Sequence, residues 1–338
     1  MPEKRRPRLT PAVADVRRAV REALPPAGDR SPLALVALSG GPDSLALAAA
    51  TAFEATRAGW RAGAVVVDHG LQAGSETVAD DAAAAARELG LDPVSVRRVS
   101  VDATGEGPEA SARSARYDAL AAAAREAGAE IVLLGHTLDD QAETVLLGLA
   151  RGSGATSLQG MAPVSIGAGG VNLVRPLLGI RRATTHQACV DADLEPWIDP
   201  HNTDPSYSRV RVRERVLPVL EAELGPGIAE ALARTAEQAR EDSAAFQEQI
   251  DEFIEEICEP AEAGIAISAA ALAANPAALR QRVIRFVVQS EFGVALSRSQ
   301  TLDVARLVTD WHGQGPIDLP GLTAHRDSGS IVFTATDA

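Results

Sequence analysis

The stretch Leu33-Ala34-Leu35-Val36-Ala37-Leu38-Ser39-Gly40-Gly41-Pro42-Asp43-Ser44, continued by Leu45–Thr56, decides the fold. Leu33–Leu38 is an unbroken apolar run of strand length, the pattern of a strand buried on both faces of a parallel sheet. Ser39–Ser44 is a turn, and helix formers follow it. The same order recurs downstream. Ala62–Val67 is a second buried strand ending in Asp68-His69-Gly70, and Glu76–Gly90 is a helix with Gly90 as its stop. Val94–Val101, Ile131–Leu134 and Val171–Val174 read as further strands, with helices over Glu109–Ala127 and Leu138–Ala150. This alternation predicts an α/β fold: a doubly wound parallel sheet, Rossmann-like, with helices on both faces. Upstream, residues 11–28 read as an amphipathic helix stopped by Pro25-Pro26. Gly167–Gly170 reads as a loop. Downstream lie a long charged helix over 226–258 and helices over 269–274, 276–292 and 297–311. Short strands at 317–319, 322–326 and 331–334 complete a smaller, mostly helical domain. The expected division is an N-terminal helix over 1–30, a catalytic domain over 31–222 and a substrate domain over 226–338.

The 338 residues are 46% hydrophobic and 23% charged, a globular composition with room for a sizeable core. Against 46 Asp+Glu stand 32 Lys+Arg, a net charge of -14, which argues against general nucleic-acid binding but leaves room for a local basic patch. Lys4 is the single lysine. A Walker-type loop, G-x-x-x-x-G-K-S/T, is therefore absent, as is G-x-G-x-x-G. Cys189 and Cys258 form no C-x-x-C pair, which excludes a cysteine zinc site or redox dithiol and fits a reducing cytoplasm. The basic N-terminus has no apolar run behind it, so neither a signal peptide nor a membrane span is expected.

Ligands of such sheets bind outside the carboxyl ends of the strands, where clusters 39–44, 68–69 and 135–143 fall. Gly40 and Gly41 permit close backbone approach, the next helix offers free N–H groups, and Ser39 and Ser44 add hydroxyls: a cradle for phosphate. Asp43 cannot bind an anion directly and calls for a cation such as Mg²⁺; the other reading is a tight turn with Asp43 at a helix start. Asp68 and His69 close the second strand, with Asp68 capping a turn as the plainer reading. Arg113 and Arg116 share a helix face suited to polyphosphate, unless Glu109 pairs with Arg113. Asp139, Asp140 and Glu143 cluster at one helix start and need a cation among them, Mg²⁺ or a substrate ammonium. Helix-dipole complementarity explains one or two of these acids but not His136 beside them. Finally, Arg209, Arg211, Arg213 and Arg215 make a basic patch beside an apolar stripe, either an RNA contact or a solvated surface.

Ser39-Gly40-Gly41-Pro42-Asp43-Ser44 resembles the pyrophosphate loop of the N-type ATP pyrophosphatases (PP-loop ATPases), which cleave ATP to AMP and pyrophosphate. Within them, V-D-H-G-L at 67–71, E-A-x-A-R-x-x-R-Y at 109–117 and G-H-x-x-D-D-Q-x-E-T at 135–144 resemble the tRNA(Ile)-lysidine synthetases. So do D-P-x-N at 199–202, R-x-R-x-R at 209–213 and V-L-P-x-L at 216–220, with Leu158–Met161 and Arg175–Leu178 in the same pattern. The resemblance covers roughly residues 31–222. It implies conversion of the wobble cytidine of a CAU-anticodon isoleucine tRNA into lysidine, with ATP, Mg²⁺ and L-lysine. It further implies phosphate binding by Ser39, Gly40, Gly41, Pro42, Ser44 and Gly135, and an adenine contact along Val66–Asp68 with His69 beside it. Asp43 and Asp140 would hold Mg²⁺. Arg113 and Arg116 would steady polyphosphate charge, and His136 would reach the α-phosphate. Asp139 and Glu143 would take lysine's ammonium groups, Glu143 counting with the catalytic residues. RNA would meet Arg175, Asn202, Arg209, Arg211, Arg213 and Arg215, in a chain compatible with a homodimer. A related tRNA thiolase would need reactive cysteines, which neither Cys189 nor Cys258 matches. A small-molecule adenylating ligase would not need the Arg209–Arg215 patch, and a silent ATP-responsive RNA-binding module would not need the His136–Glu143 string.

Overall fold

The computed structural model describes residues 9–70, 74–99, 108–152, 154–261 and 264–336, in two compact units, Met1–Arg240 and Glu241–Ala338. The expected end of the third strand at 100–101 lies outside the described residues.

The first unit begins with α1 (Pro11–Ala23), β1 (Leu33–Ala37), α2 (Pro42–Ala58), β2 (Arg61–Asp68), α3 (Ser75–Glu88) and β3 (Val94–Arg98). It continues with α4 (Pro108–Ala127), β4 (Ala129–Leu133), α5 (Leu138–Arg151), α6 (Ala155–Leu158), β5 (Val164–Ile166), β6 (Asn172–Val174) and α7 (Arg182–Asp191). α8 (Ser208–Arg211), a π turn over Val212–Val216 and α9 (Leu217–Leu224) follow, and α10 (Ile228–Ile257) leads out. The sheet order is β3-β2-β1-β4-β6-β5, parallel except for the edge strand β5, which the sequence reading left unassigned. β5 pairs only with β6, and Val164 and Ile166 are exposed, so no buried apolar face marks it in the sequence.

The fully buried β1 shows why the sheet is doubly wound. Ala34 and Val36 pack into one core with α1, α2, α3 and α7, while Leu33, Leu35 and Ala37 pack into another with Leu120, Ala123 and Ala124 of α4. Alternate side chains thus serve opposite faces. α1 stops at Ala23 rather than 28, because Pro25 and Pro26 disfavour helix just before them. It is tied to α2 by the buried Glu54, which accepts from Arg17 Nε at 2.8 Å and Arg21 Nε at 2.9 Å.

The second unit holds β7 (Cys258–Ala261), β8 (Gly264–Ser268), α11 (Ala269–Ala274), α12 (Ala277–Phe292), α13 (Arg298–Thr309), β9 (Ile317–Leu319), β10 (Leu322–Asp327) and β11 (Ser330–Ala335). The three expected helices and three expected strands are all present. β7 and β8 were not foreseen, and they extend the terminal strands into a five-stranded antiparallel sheet, β7-β8-β11-β10-β9. Pro260 is tolerated because β7 is an edge strand. Ile267, Ile284, Leu322 and Phe333 are fully buried between this sheet and its helices.

Candidate active site

The start of α2 follows β1 through Ser39-Gly40-Gly41. Gly40 has φ +81°, a left-handed conformation that costs glycine little. Pro42 stands in the first turn of α2, where a missing N–H is harmless. The loop is self-knit: Ser44 Oγ accepts from Ser39 N at 3.1 Å, lies 3.0 Å from Ser39 Oγ and donates to the Gly41 carbonyl at 3.0 Å. The Gly40 carbonyl accepts from Trp197 N at 2.9 Å, a tether that the sequence did not announce. Gly135 has a packing reason: a Cβ there would stand 3.1 Å from Ser44 N, so glycine lets the chain after β4 lie close against the start of α2.

At the end of β2, Asp68 is buried and its Oδ1 accepts from Gly70 N at 3.0 Å. Burial alone would raise its carboxyl, but this bond and that from Ser75 hold it below the usual range. Asp68 is therefore the cap of its own turn. Val66 is buried, and the β1 ladder stops at Ala37↔Val65, with Leu38 N donating to Val65 O at 2.9 Å. The β1-side backbone of 66–68 thus lies beyond that ladder.

A cationic group lies at this end of the sheet. Arg116 is desolvated, which lowers its pKa, and the nearby Arg113 lowers it further. Neither arginine has an ion pair among the described residues; Arg113 instead lies over the Tyr117 ring, 5.0 Å from its centroid. The Glu109 side chain falls outside the described residues. His136 feels Arg116, Arg175 and Arg113. Burial, with these charges, pushes its pKa down to about 3 despite Asp140, so the imidazole is neutral, and its buried Nδ1 has no partner among the described residues. Burial likewise lowers His69, with Arg116 adding to it, and its Nδ1 has no partner among the described residues. A desolvated arginine such as Arg116, with no ion pair among the described residues, is what an anion site requires.

Opposite stands the acid cluster, for which the sequence predicts a cation, and the chain itself places an arginine among the acids. Arg182, in the first turn of α7, reaches Asp140 Oδ1 from Nη2 at 2.7 Å, Glu143 Oε1 from Nη1 at 3.2 Å and Asp43 Oδ2 from Nε at 3.5 Å. Its backbone N–H donates to Asp139 Oδ2 at 2.7 Å, and Arg181 Nη1 lies 3.3 Å from Asp139 Oδ1. Thr185, one turn on, donates to Asp43 Oδ1. Asp140 also closes a capping box with Thr137, whose N and Oγ1 both donate to Asp140 Oδ2 at 2.8 Å. Three helix starts, of α2, α5 and α7, thus meet. Burial raises Asp43, opposed by Thr185 and Arg182. In Asp140 burial acts the same way, but Arg182 and Thr137 prevail and its pKa is lowered.

Glu143 is not offered as a ligand carboxylate: its side chain is 0% exposed and its oxygens are taken. Arg213 grips it bidentately, Nε at 2.7 Å and Nη2 at 3.1 Å, and Arg209 Nε stands 3.7 Å away. Arg209 Nη2 also donates to Thr144 Oγ1 at 3.1 Å. Arg209 and Arg213 therefore face inward rather than forming an open RNA-facing patch. Arg211 binds its own loop at the Pro205 and Ser206 carbonyls, both at 2.7 Å. Arg215 is exposed, with no hydrogen bond or ion pair among the described residues, and Asn202 is exposed on a short turn. Arg175 is a correction too: only 8% exposed, its Nη1 donates to the Ala162 carbonyl at 2.8 Å and Ser165 Oγ at 3.0 Å. It braces β5 instead of presenting a surface.

No group of three or more His, Cys, Asp or Glu side chains among the described residues is arranged to hold a metal ion. The Asp43–Asp140 pair nonetheless suits Mg²⁺, which takes one or two carboxylates and completes its shell with water and phosphate oxygens. Among the described residues no helix is long and apolar enough to cross a membrane.

Residues 13–220 match the family model of the PP-loop domain, and 267–332 match that of the TilS substrate binding domain. The chain is 62% identical to the tRNA(Ile)-lysidine synthase of Leifsonia xyli subsp. xyli over 89% of either chain. It is 51% identical to that of Thermobifida fusca over 96% of this chain and 98% of the relative. Among solved structures, the U34-tRNA thiolase NcsA from Methanococcus maripaludis superposes with a TM-score of 0.55 at 20% identity, over 67% of this chain and 79% of that one, a likeness of fold. With both domain matches and relatives aligned over nearly their whole length, the chain belongs to the tRNA(Ile)-lysidine synthase family.

Proposed function

We propose that this chain is a cytoplasmic ligase that converts the wobble cytidine of a CAU-anticodon isoleucine tRNA into lysidine. The carrying observation is the pairing, at one end of the sheet, of Arg113 and Arg116, which have no ion pair among the described residues, and the neutral His136 with a phosphate loop, in a member of this family. In this reading Ser39, Gly40, Gly41, Pro42 and Ser44 cradle the ATP phosphates, with Gly135 closing the wall behind them. The backbone of Val66–Asp68 faces adenine, with His69 beside it. Arg113 and Arg116 offset the charge that gathers on the polyphosphate as pyrophosphate departs. His136, neutral, hydrogen-bonds at the α-phosphate without adding charge. Mg²⁺, held through Asp43 and Asp140, would neutralise phosphate charge there.

Two displacements follow. The cytosine C2 oxygen bonds to the α-phosphorus as the bond to pyrophosphate breaks. Lysine's ε-nitrogen, having lost a proton, then bonds to C2 as the C2–oxygen bond breaks and AMP leaves. Asp139, with its side chain 22% exposed, is the carboxylate open to a lysine ammonium. Glu143 supports it from behind through the arginines. RNA contact falls to Arg215, Arg211 and Asn202.

Incubation with ATP, Mg²⁺, labelled lysine and a CAU-anticodon transcript tests this. Label should enter the RNA with release of AMP and pyrophosphate. Pyrophosphate release on another substrate, with no lysine in RNA, overturns it.

A further inference from the structure

The acid cluster contains an occupant that no motif foretold. Arg182 uses three different nitrogens on three different carboxylates: Nε toward Asp43, Nη2 on Asp140 and Nη1 on Glu143. These acids come from two helix starts, α2 and α5, and the guanidinium comes from a third, α7. Its own backbone is pinned by Asp139, and Thr185 on the next turn holds the far oxygen of Asp43. The site therefore converges on one planar fork, and an ammonium, with all its donors on a single nitrogen, does not reproduce the spread of three nitrogens over three carboxylates.

We propose that Arg182 is a positioning residue of the reaction: its guanidinium gathers Asp43, Asp140 and Glu143 into the array that receives Mg²⁺-bound ATP and lysine. The proposal rests on the lysidine reading for its substrates. Without Arg182, like charges would stand together at the junction, and Asp43 and Asp140 would move apart. Asp43 and Asp140 keep acceptor capacity while paired, since each carboxylate oxygen carries two acceptor sites, whereas the buried Glu143 anchors the fork from behind. The fork thus orders the two aspartates without closing them to a ligand.

Arg182→Ala, with and without millimolar guanidinium chloride, tests it, beside Arg182→Lys. Lysine transfer to the transcript by Arg182→Ala should fall about 100-fold in kcat, the scale of a small misplacement of catalytic groups, with the tRNA KM within about threefold. Free guanidinium should restore at least about tenfold of that loss, which no general loss of stability would allow. Arg182→Lys should stay at least about tenfold below the parent, because charge alone does not replace the fork. Calorimetric binding of ATP with Mg²⁺ reads the array without the lysine step: affinity should drop about tenfold in Arg182→Ala and recover with guanidinium. Unchanged ATP affinity, or a loss that guanidinium does not reverse, overturns the proposal. So does a wild-type rate in Arg182→Lys, and that variant decides if Arg182→Ala does not fold. If the parent enzyme transfers no lysine while the ATP-binding pattern holds, the lysidine reading fails and the role of Arg182 stands.

Discussion

His136 shows how strongly one residue is governed by its surroundings. Burial, reinforced by Arg116, Arg175 and Arg113, takes its pKa from 6.5 to about 3. Between those values the unfolded chain binds a proton that the folded chain refuses. Stability therefore rises with pH through that window, by up to about 1.4 kcal/mol per pH unit. The expected observation is an imidazole whose NMR signals do not titrate between pH 8 and about 4; a His136 midpoint near 6.5 would remove the neutral hydrogen-bonding role. Glu143 and Asp139 make a second contrast. Glu143 is wholly buried under Arg182 and Arg213, so Glu143→Gln should cost about 3–5 kcal/mol in urea unfolding, the scale for breaking a buried ion pair. Asp139 is partly exposed, so Asp139→Asn should cost far less stability and instead raise the KM for lysine. Equal losses of stability in the two variants would deny the distinction. The motif string placed these acids together, and their proximity was legible from i,i+3 and i,i+4 spacing. Their partner was not legible. Arg182 lies some 40 residues away in a plain Arg-Arg pair, and only the meeting of α5 and α7 reveals which charges it answers.

Length alone did not decide which elements were legible: β6 and β9 have three residues and were expected, while β8 has five, as β1 and β4 do, and was not. β1, β2 and β4 are buried on both faces, and a continuous apolar run announces that. β5, β7 and β8 have three to five residues and depend on neighbours brought by the chain from elsewhere. The arginine segment is the instructive middle case. The sequence predicts a basic patch beside an apolar stripe but not the π turn over Val212–Val216, which changes which way successive arginines point. Arg209 and Arg213 turn to Glu143, while Arg215 stays in solvent. Arg215→Ala should weaken tRNA binding and reduce the log–log salt slope by about 0.7–0.9, one phosphate contact. Arg213→Ala should lower the unfolding midpoint instead, since it leaves Glu143 short of a partner. An unaltered salt slope in Arg215→Ala would mark that arginine as a solvated surface charge.

At the scale of the whole molecule, the net charge of -14 and the RNA reading coexist because charge is sorted by place. The conspicuous acids of the first unit are matched by arginines, whereas Arg113 and Arg116 have no acid partner among the described residues. Each unit also has its own core, which lets their contributions be separated. Phe333 is fully buried among Ile267, Ile331 and Leu322 in the second unit, far in sequence from the phosphate loop. Phe333→Ala should remove about 3–5 kcal/mol from that unit, the range for truncating a buried phenylalanine. The match of 267–332 to a substrate binding domain points to the consequence. Affinity for the CAU-anticodon tRNA should fall, while calorimetric ATP affinity stays near the parent value, because the phosphate loop and its arginines belong to a different core. A parallel loss of ATP binding would mean that the two cores do not unfold independently, and that the nucleotide site draws its order from both.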